Sequence, residues 1–519
     1  MSQAENSAAP PQSVALVIGS VAVTLLLASL GQTIVSTALP VIVGQLGGLD
    51  HLTWVVTAYL LSSTVVAPIY GKLGDLFGRK IVLQAAILIF LGGAVLSALS
   101  NSMGMLIFTR TVQGLGGGGL MVVAMTVVAD IIPARQRGRI QGIFGAVFGV
   151  STVVGPLLGG FIVEHASWQW IFLINLPLGA LALGVIAVAL KPRRSQVSHK
   201  IDYMGFVLLS GALTTLVLAA SLGGNTYEWL SLEILALLGA SALLLALFVF
   251  NEARAAEPVL PLALFRNNTF VVTNAVGFLV GMAMFGSITF LPMYLQLAKG
   301  VTPTDSAIQL VPMMIGLIGA STLSGFLMTR TGRYKLLPML STVSLIVGLV
   351  FLANMQLDTP AWQVGLFMFL IGAGIGPVNA VSVTATQNAV PHHMVGVATA
   401  GTTMFRQIGG SIGVSVFGAI FAGGLASRIG DILPAGGFNA EALAALPPPV
   451  RAEVLDAFAA SLHPVFFTAA AAAGLAFLLT LLLEELPLAT TLRREPEAEI
   501  DAEEAGAASV VGAPATVVR

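Results

Sequence analysis

Along the chain, long apolar runs alternate with short polar breaks. The runs approach or exceed about 20 residues, the length an α-helix needs to cross bilayer hydrocarbon. They fall near 14–40, 52–70, 81–99, 105–130, 140–163, 168–190, 203–222, 231–250, 270–297, 307–329, 336–354, 362–388, 397–422 and 464–484, fourteen in all. The predicted fold class is therefore an all-α polytopic membrane protein. The spacing of the runs divides the chain into a polar tail (1–13), a six-helix half (14–190) and a linker with an inserted helix pair (191–267). A second six-helix half (268–484) with a long outer loop (423–463) and a disordered charged tail (485–519) complete it.

The most charged break is Gly71-Lys72-Leu73-Gly74-Asp75-Leu76-Phe77-Gly78-Arg79-Lys80, with four charges in ten residues. It reads as a tight hairpin between runs 52–70 and 81–99, with Gly74 and Gly78 free to take positive φ. A second stretch, Gly325-Phe326-Leu327 through Gly332-Arg333-Tyr334-Lys335, repeats the Gly-x-Leu and Gly-Arg pattern. Such a repeat, half a chain apart, points to two homologous helical halves. The competing explanation is that Gly-Arg-Lys turns simply recur at basic helix ends.

Composition agrees with the pattern. The 519 residues are 56% hydrophobic and 9% charged, with mean hydropathy +0.93, which excludes an ordinary soluble domain. There is no cysteine, hence no disulfide and no thiolate-bound metal. Residues 1–13 hold no Lys or Arg, so the run from Val14 is expected to be retained rather than cleaved as a signal peptide. With both termini placed in the cytoplasm, eighteen basic residues fall on the inner side and only Lys299, Arg428 and Arg451 on the outer, the asymmetry of the positive-inside rule. Arg110 and Arg406 remain, inside apolar runs. Pro447-Pro448-Pro449 precedes an amphipathic stretch, Val450–Leu462, which is either an interfacial helix on the outer surface or a solvated loop.

Five stretches together resemble the major facilitator superfamily, in its fourteen-helix drug:proton antiporter branch. Gly71–Lys80 is similar to that family's loop between helices 2 and 3, and Arg110-Thr111-Val112-Gln113-Gly114 to its helix-4 motif. Gly142, Gly155-Pro156 and Gly159-Gly160 resemble the helix-5 antiporter motif, with Ser151 where another Gly is usual. Thr33-Ile34-Val35-Ser36-Thr37-Ala38-Leu39-Pro40 resembles the helix-1 motif of the branch. Trp168-Gln169-Trp170-Ile171-Phe172-Leu173-Ile174-Asn175-Leu176-Pro177 resembles the start of its helix 6, with Gln169 in place of Arg. The resemblance spans roughly 14–484 and implies a major facilitator fold, alternating access, outward export and proton coupling. One departure bears on coupling: the acid that usually precedes the helix-1 Gln-Thr pair is Gly31 here.

The resemblance also implies roles. Gly71, Asp75, Gly78, Arg79 and Asp130 would form a charge latch closing one conformation, and Gly142, Gly155, Pro156, Gly159 and Gly160 a hinge or seal between halves. The residues themselves add that helix 5 carries small residues at close spacing, suited to tight helix contact, and that Pro156 removes a backbone donor. An intramembrane guanidinium costs several kcal/mol unless it finds acceptors or a cavity. Arg110 and Arg406 are therefore either charges in a transport cavity or anchors bonded to backbone carbonyls. None of the 24 acids lies in the middle of an apolar run, so coupling falls to acids nearer the ends: Asp130, Glu164 and Asp305. For Glu164 and Asp305 the alternative is a wetted helix end. Two embedded arginines without acids favour neutral or anionic ligands over permanent cations.

Gln32, Thr33, Tyr59, Asn175, Tyr294, Gln296, Asn379 and Gln387 are candidates to line a substrate cavity, since pockets for varied ligands are mostly apolar with a few placed polar groups. The Gly-rich run Leu115–Leu120 is followed by no Lys-Ser/Thr and lies within a helix run, so it is no phosphate loop. His392-His393 falls at a turn, either solvated or pH-sensing.

The sequence thus predicts a multi-pass secondary transporter, with no enzyme chemistry and no cofactor. Resemblance places it in the bacterial cytoplasmic membrane, exporting amphipathic small molecules in exchange for protons. An exporter of one anionic or neutral metabolite with weak or no coupling, and more distantly a membrane enzyme or receptor, are the alternatives. The partners implied are a small-molecule substrate, protons and lipid, with no nucleic acid.

Overall fold

The computed structural model describes residues 14–46, 52–190, 201–224, 226–299, 301, 306, 308–356, 358–429 and 447–491. Asp305, the tails before Val14 and after Thr491, most of the loop after Ile429 and the basic segment 191–200 lie outside them.

Fourteen helices among the described residues are long and apolar enough to cross a membrane. In the first half α1 (Val14–Thr33) and α2 (Val35–Leu46) are followed by α3 (Leu52–Phe77), α4 (Arg79–Ala98), α5 (Met103–Ile131) and α6 (Ala134–His165). Short α7 (Trp170–Leu173) and α8 (Asn175–Ala189) complete the half. The inserted pair is α9 (Tyr203–Leu222) and α10 (Leu232–Glu252). The second half holds α11 (Asn268–Met293), α12 (Val311–Thr331), α13 (Leu336–Ala353), α14 (Ala361–Ala389), α15 (Val395–Ile429) and α16 (Pro448–Leu481).

Several boundaries differ from those expected. Gly71–Lys80 is not a loop: α3 runs on to Phe77, carrying Lys72, Gly74 and Asp75 in helical backbone, and the corner is Gly78 alone, at φ 87°. Only glycine takes that conformation without strain, so a one-residue corner suffices. The matching corner in the second half, Gly332 at φ 72°, ends α12 as a left-handed cap, satisfying a terminal carbonyl. The run 14–40 is broken at Ile34, and α6 starts earlier than expected, at Ala134, with Arg135, Arg137 and Arg139 in its first turns.

The amphipathic stretch 450–462 is neither a separate interfacial helix nor a solvated loop. It is the first part of the 34-residue α16, about 51 Å long at 1.5 Å per residue. That exceeds the roughly 30 Å of bilayer hydrocarbon, so one end of α16 extends beyond it. Val454, Phe458 and Leu462 are buried against the end of α15, where Phe458 meets Phe421 edge-on at 5.2 Å.

Glycine governs how closely the helices pack. The run Gly116–Gly119 on α5 lies between α3 and α4: a Cβ on Gly116 would fall 2.4 Å from the Phe90 backbone N, and one on Gly118 2.3 Å from Ser63 O. These glycines are packing surfaces. The inserted pair stands at the seam between halves, with Leu209 and Leu213 of α9 in one apolar cluster with Val65 of α3 and Met404 and Ile408 of α15. The linker after α10 folds under it, where the Glu252 carboxylate accepts the N–H groups of Val259 and Leu260 at 3.0 and 3.3 Å.

Candidate functional site, a cleft between two helical halves

The halves are joined at the end that carries most of the arginines, called here the basic end. Asp75, with a side chain 5% exposed, accepts the N–H of Gly396 and of Val397, each at 3.0 Å, from the first turn of α15. A carboxylate there is stabilised by the free N–H groups and the dipole of the helix. Arg79 bridges Asp75 (3.3 Å) and Asp130 (2.5 Å), and donates to Thr126 O. His392 Nε2 stands 3.3 Å from Asp130, so the turn bearing His392 borders the latch. Gly71 allows the approach: a Cβ there would lie 2.7 Å from Gly396 O.

A second contact joins α6 to α12. Arg135 Nε donates to Thr329 O at 2.9 Å and Nη2 to Arg330 O at 3.0 Å. A Cβ on Gly325 would fall 2.0 Å from Gly138 O, and one on Gly142 2.8 Å from Thr322 Cα. Farther along α6 the partners change: Gly149 still faces Ile318, but Gly155 faces Thr33 of its own half. The hydrogen bonds across the halves thus cluster at the basic end, and the conformation is one closed there.

Above this seal lies a cleft with about 960 Å³ of empty space, part of it open to solvent, lined from both halves. Its walls are largely apolar, with Met121, Met125, Phe144, Phe148, Met284 and Phe285 among them. Gln32, Gln141, Ser321, Asn379, Arg406 and Gln407 supply its polar side chains. Arg406 donates from Nη1 to Asn379 Oδ1 at 3.1 Å. The lining includes no carboxylate among the described residues.

Arg110 is elsewhere. It is 0% exposed, donating to Val55 O (3.2 Å), Gly31 O (3.2 Å) and Gln113 Oε1 (2.7 Å). Its Nη2 meets no hydrogen-bond acceptor among the described residues, but the guanidinium lies 4.4 Å from the centroid of the Tyr59 ring, a cation–π contact. Gly31, standing where the branch usually has an acid, contributes a backbone carbonyl. A Cβ there would sit 2.5 Å from Phe90 Cζ, so no side chain fits at that position without movement of a fully buried ring.

Of the eight cavity candidates, the structure puts Gln32 and Asn379 on the cleft. The others are engaged elsewhere. Thr33 donates to Ser29 O and Ser151 O, Tyr59 to Ala28 O, and Asn175 to Ile171 O and Phe172 O. Tyr294 donates to Gln356 O, Gln296 to Ser306 Oγ and Gln387 to Thr399 Oγ1. Glu164 is exposed at the far end of α6. The antiporter-type glycines separate as well: Gly142 meets the other half, Gly155 meets α1, Gly159 is buried, and a Cβ on Gly160 would have nothing within 4 Å. Helix α6 continues unbroken through Pro156. Sequence reasoning missed Gln141 and Gln407, although a glutamine inside an apolar run is the same signal that singled out Asn379. The lining Phe and Met residues carried no signal, because helices apolar on every side do not mark one face.

Comparison with known proteins agrees with this geometry. Residues 21–414 match the family model of the Major Facilitator Superfamily. A multidrug transporter of Bacillus subtilis is 39% identical over 420 residues, 80% of this chain and 76% of its own. Multidrug resistance protein 3 of the same organism is 32% identical over 484 residues, 90% of this chain and 94% of its own. An uncharacterised MFS-type transporter of Mycobacterium tuberculosis is 42% identical over 470 residues, 89% of this chain and 68% of its own. Among solved structures, the human organic anion transporter MFSD10 superposes with TM-score 0.61 at 15% identity, over 91% of this chain and 100% of that one. The xylose:proton symporter XylE gives 0.60 at 12% identity, over 91% and 96%; at such identities both speak for the fold alone. These relatives are transporters rather than enzymes, and the chain belongs to the major facilitator superfamily.

Proposed function

We propose that this transporter exports amphipathic small molecules across a bacterial cytoplasmic membrane by alternating access. The observation that carries the proposal is the cleft lined from both halves and sealed at one end by Asp75, Arg79 and Arg135. The distribution of basic residues supports a cytoplasmic basic end and cytoplasmic termini, which makes this the outward-facing state. The similarity to multidrug transporters supports export and varied substrates. Proton antiport is the coupling proposed, with Asp130, Glu164 and Asp305 as candidate acids and Asp130 first, beside Arg79 and His392. Gly31 and a cleft lining without a carboxylate among the described residues favour a second reading, an exporter of an anionic or neutral metabolite with weak or no proton coupling.

Inverted vesicles energised to an acidic interior test both. Substrate-dependent collapse of the pH gradient, absent without the protein, is the result expected of antiport. Substrate movement that leaves the gradient untouched, once electrogenic transport is controlled for, supports the second reading; no movement of any amphipathic compound overturns export itself. The latch has its own test. Because the chain lacks cysteine, single Cys at positions 139 and 333 give a clean spin-label pair. Asp75→Asn weakens charge-assisted bonds worth about 1.5–3 kcal/mol, and the distance distribution should shift toward wider separation at the basic end. An unchanged distribution would remove the latch from the proposal.

A further inference from the structure

The cleft treats its two ends of polarity unequally. Its apolar walls suit the body of an amphipathic molecule, and methionines such as Met121 and Met125 adapt to different shapes. Its charge is of one sign: Arg406 lines it, and no acid does among the described residues. A guanidinium carries five N–H donors, and among the described residues the hydrogen-bond acceptor for Arg406 is Asn379 Oδ1 alone. Two further polar atoms on the lining are buried without partners, Gln141 Nε2 and Gln407 Oε1, and the Gln141 residue is only 6% exposed. Buried polar groups normally find partners, and leaving them without costs stability.

The backbone that carries Arg406 is also closely packed. Behind it, Gly281 of α11 is so close that a Cβ would meet Arg406 O at 2.3 Å, and Gly409 packs as tightly on Phe278 O, at 2.1 Å. The helix that presents the guanidinium is therefore packed tightly against α11, and the guanidinium itself is a planar fork suited to bidentate recognition of a carboxylate.

We infer that Arg406, with Asn379 beside it and Gln141 on the lining of the same cleft, is the head-group site for an amphipathic monoanion, a carboxylate with a hydrophobic body. The inference rests on the proposed export through this cleft and names the charge of what is exported. In the cleft the carboxylate takes the unused guanidinium donors and offsets the cost of a charge held among apolar walls. Gln141 donates to the same head or to a neighbouring oxygen of the ligand, and Gln407 Oε1 accepts from a hydroxyl or amide on it. A permanent cation of the same shape meets Arg406 with no acid to balance it and is disfavoured.

The test uses the full chain in nanodiscs of zwitterionic lipid, with protein-free nanodiscs as the measure of partition into lipid. Three probes share one apolar body: pyrenebutyrate, its methyl ester and the corresponding pyrenebutyl trimethylammonium. The anion should bind at least about tenfold more tightly than ester or cation, the value of hydrogen bonds to a charged group. Arg406→Gln should bring the anion-to-ester affinity ratio close to one. Asn379→Asp, which keeps the arginine and gives it an internal counter-charge, should lower that ratio as well, so a folding defect in one variant does not decide the matter. Equal binding of the three probes, or an anion preference that survives both substitutions, overturns the inference. Transport separates it from the reading beneath it: vesicles that export the ester or the cation but not the anion leave export standing and the head-group site refuted. Absence of binding and transport for all three overturns both.

Discussion

Two arginines lie inside apolar runs, and the structure uses them in opposite ways. Arg110 is enclosed by α1, α3 and α5, with two backbone carbonyls, a glutamine oxygen and an aromatic face around it. Arg406 stands on a cleft wall with one asparagine oxygen as its partner among the described residues. In the first the protein itself has met the cost of a buried charge; in the second the cost is left largely to be met from the cleft. A charge in a membrane helix is therefore not by itself a functional residue. What counts is how many of its donors the protein already satisfies.

The comparison is most severely tested at Arg110. Arg110→Ala strips Val55 O, Gly31 O and Gln113 Oε1 of a donor in a fully buried site and leaves a void beneath Tyr59. A loss of about 3 kcal/mol or more is expected, read as a large fall in thermal unfolding temperature in detergent. A variant as stable as the parent would mean that the bonds around Arg110 carry little.

Gly31→Asp sharpens the same point, because it gives Arg110 the acid usual in the branch. Its Cβ collides with Phe90, and overpacking of this kind costs about 1–3 kcal/mol. Thermal unfolding should fall for the single substitution and recover in Gly31→Asp/Phe90→Leu, where room is made and the new carboxylate pairs with Arg110. No recovery in the double variant would show that the site rejects the charge rather than the volume.

A smaller effect is expected from Tyr59→Phe, which keeps the ring over the guanidinium but removes the hydroxyl bond to Ala28 O. About 0.5–1.5 kcal/mol is the usual value of such a bond, measured in the same melts. The smallest belongs to Arg406→Ala, with a stability change within about 1 kcal/mol, since one exchangeable bond to Asn379 is lost and an unbalanced charge is removed with it. If Arg406→Ala proved as destabilising as Arg110→Ala, the contrast between the two arginines would fail.

Much of the architecture was legible because one physical signal carried it. A helix must be about 20 apolar residues long to cross a bilayer, and fourteen runs of that kind became fourteen spans. Their ends were less legible: α3 passes through Lys72 and Asp75 because charged residues at a membrane surface do not stop a helix, and only Gly78 turns it. Arg79 was legible as a partner of Asp75, but not which helix would supply the pair of backbone N–H groups, 321 and 322 residues away. Backbone donors leave no mark in residue identity.

From the sequence alone came the class of the protein, its span count, the repeat at Gly71 and Gly325 and the two arginines inside apolar runs, all but the repeat consequences of what hydrocarbon excludes. The folded arrangement was needed to see that Arg110 is sealed and Arg406 faces a cleft, that Gly31 yields a carbonyl in place of an acid, and that Tyr59 and Asn175 donate to backbone carbonyls. These helices are apolar on every side, so periodicity marks no inward face. Which side of each helix meets another helix, lipid or the cleft is settled by close contacts between segments far apart in the chain, and it is glycine at those contacts that lets the helices come close enough to fix it.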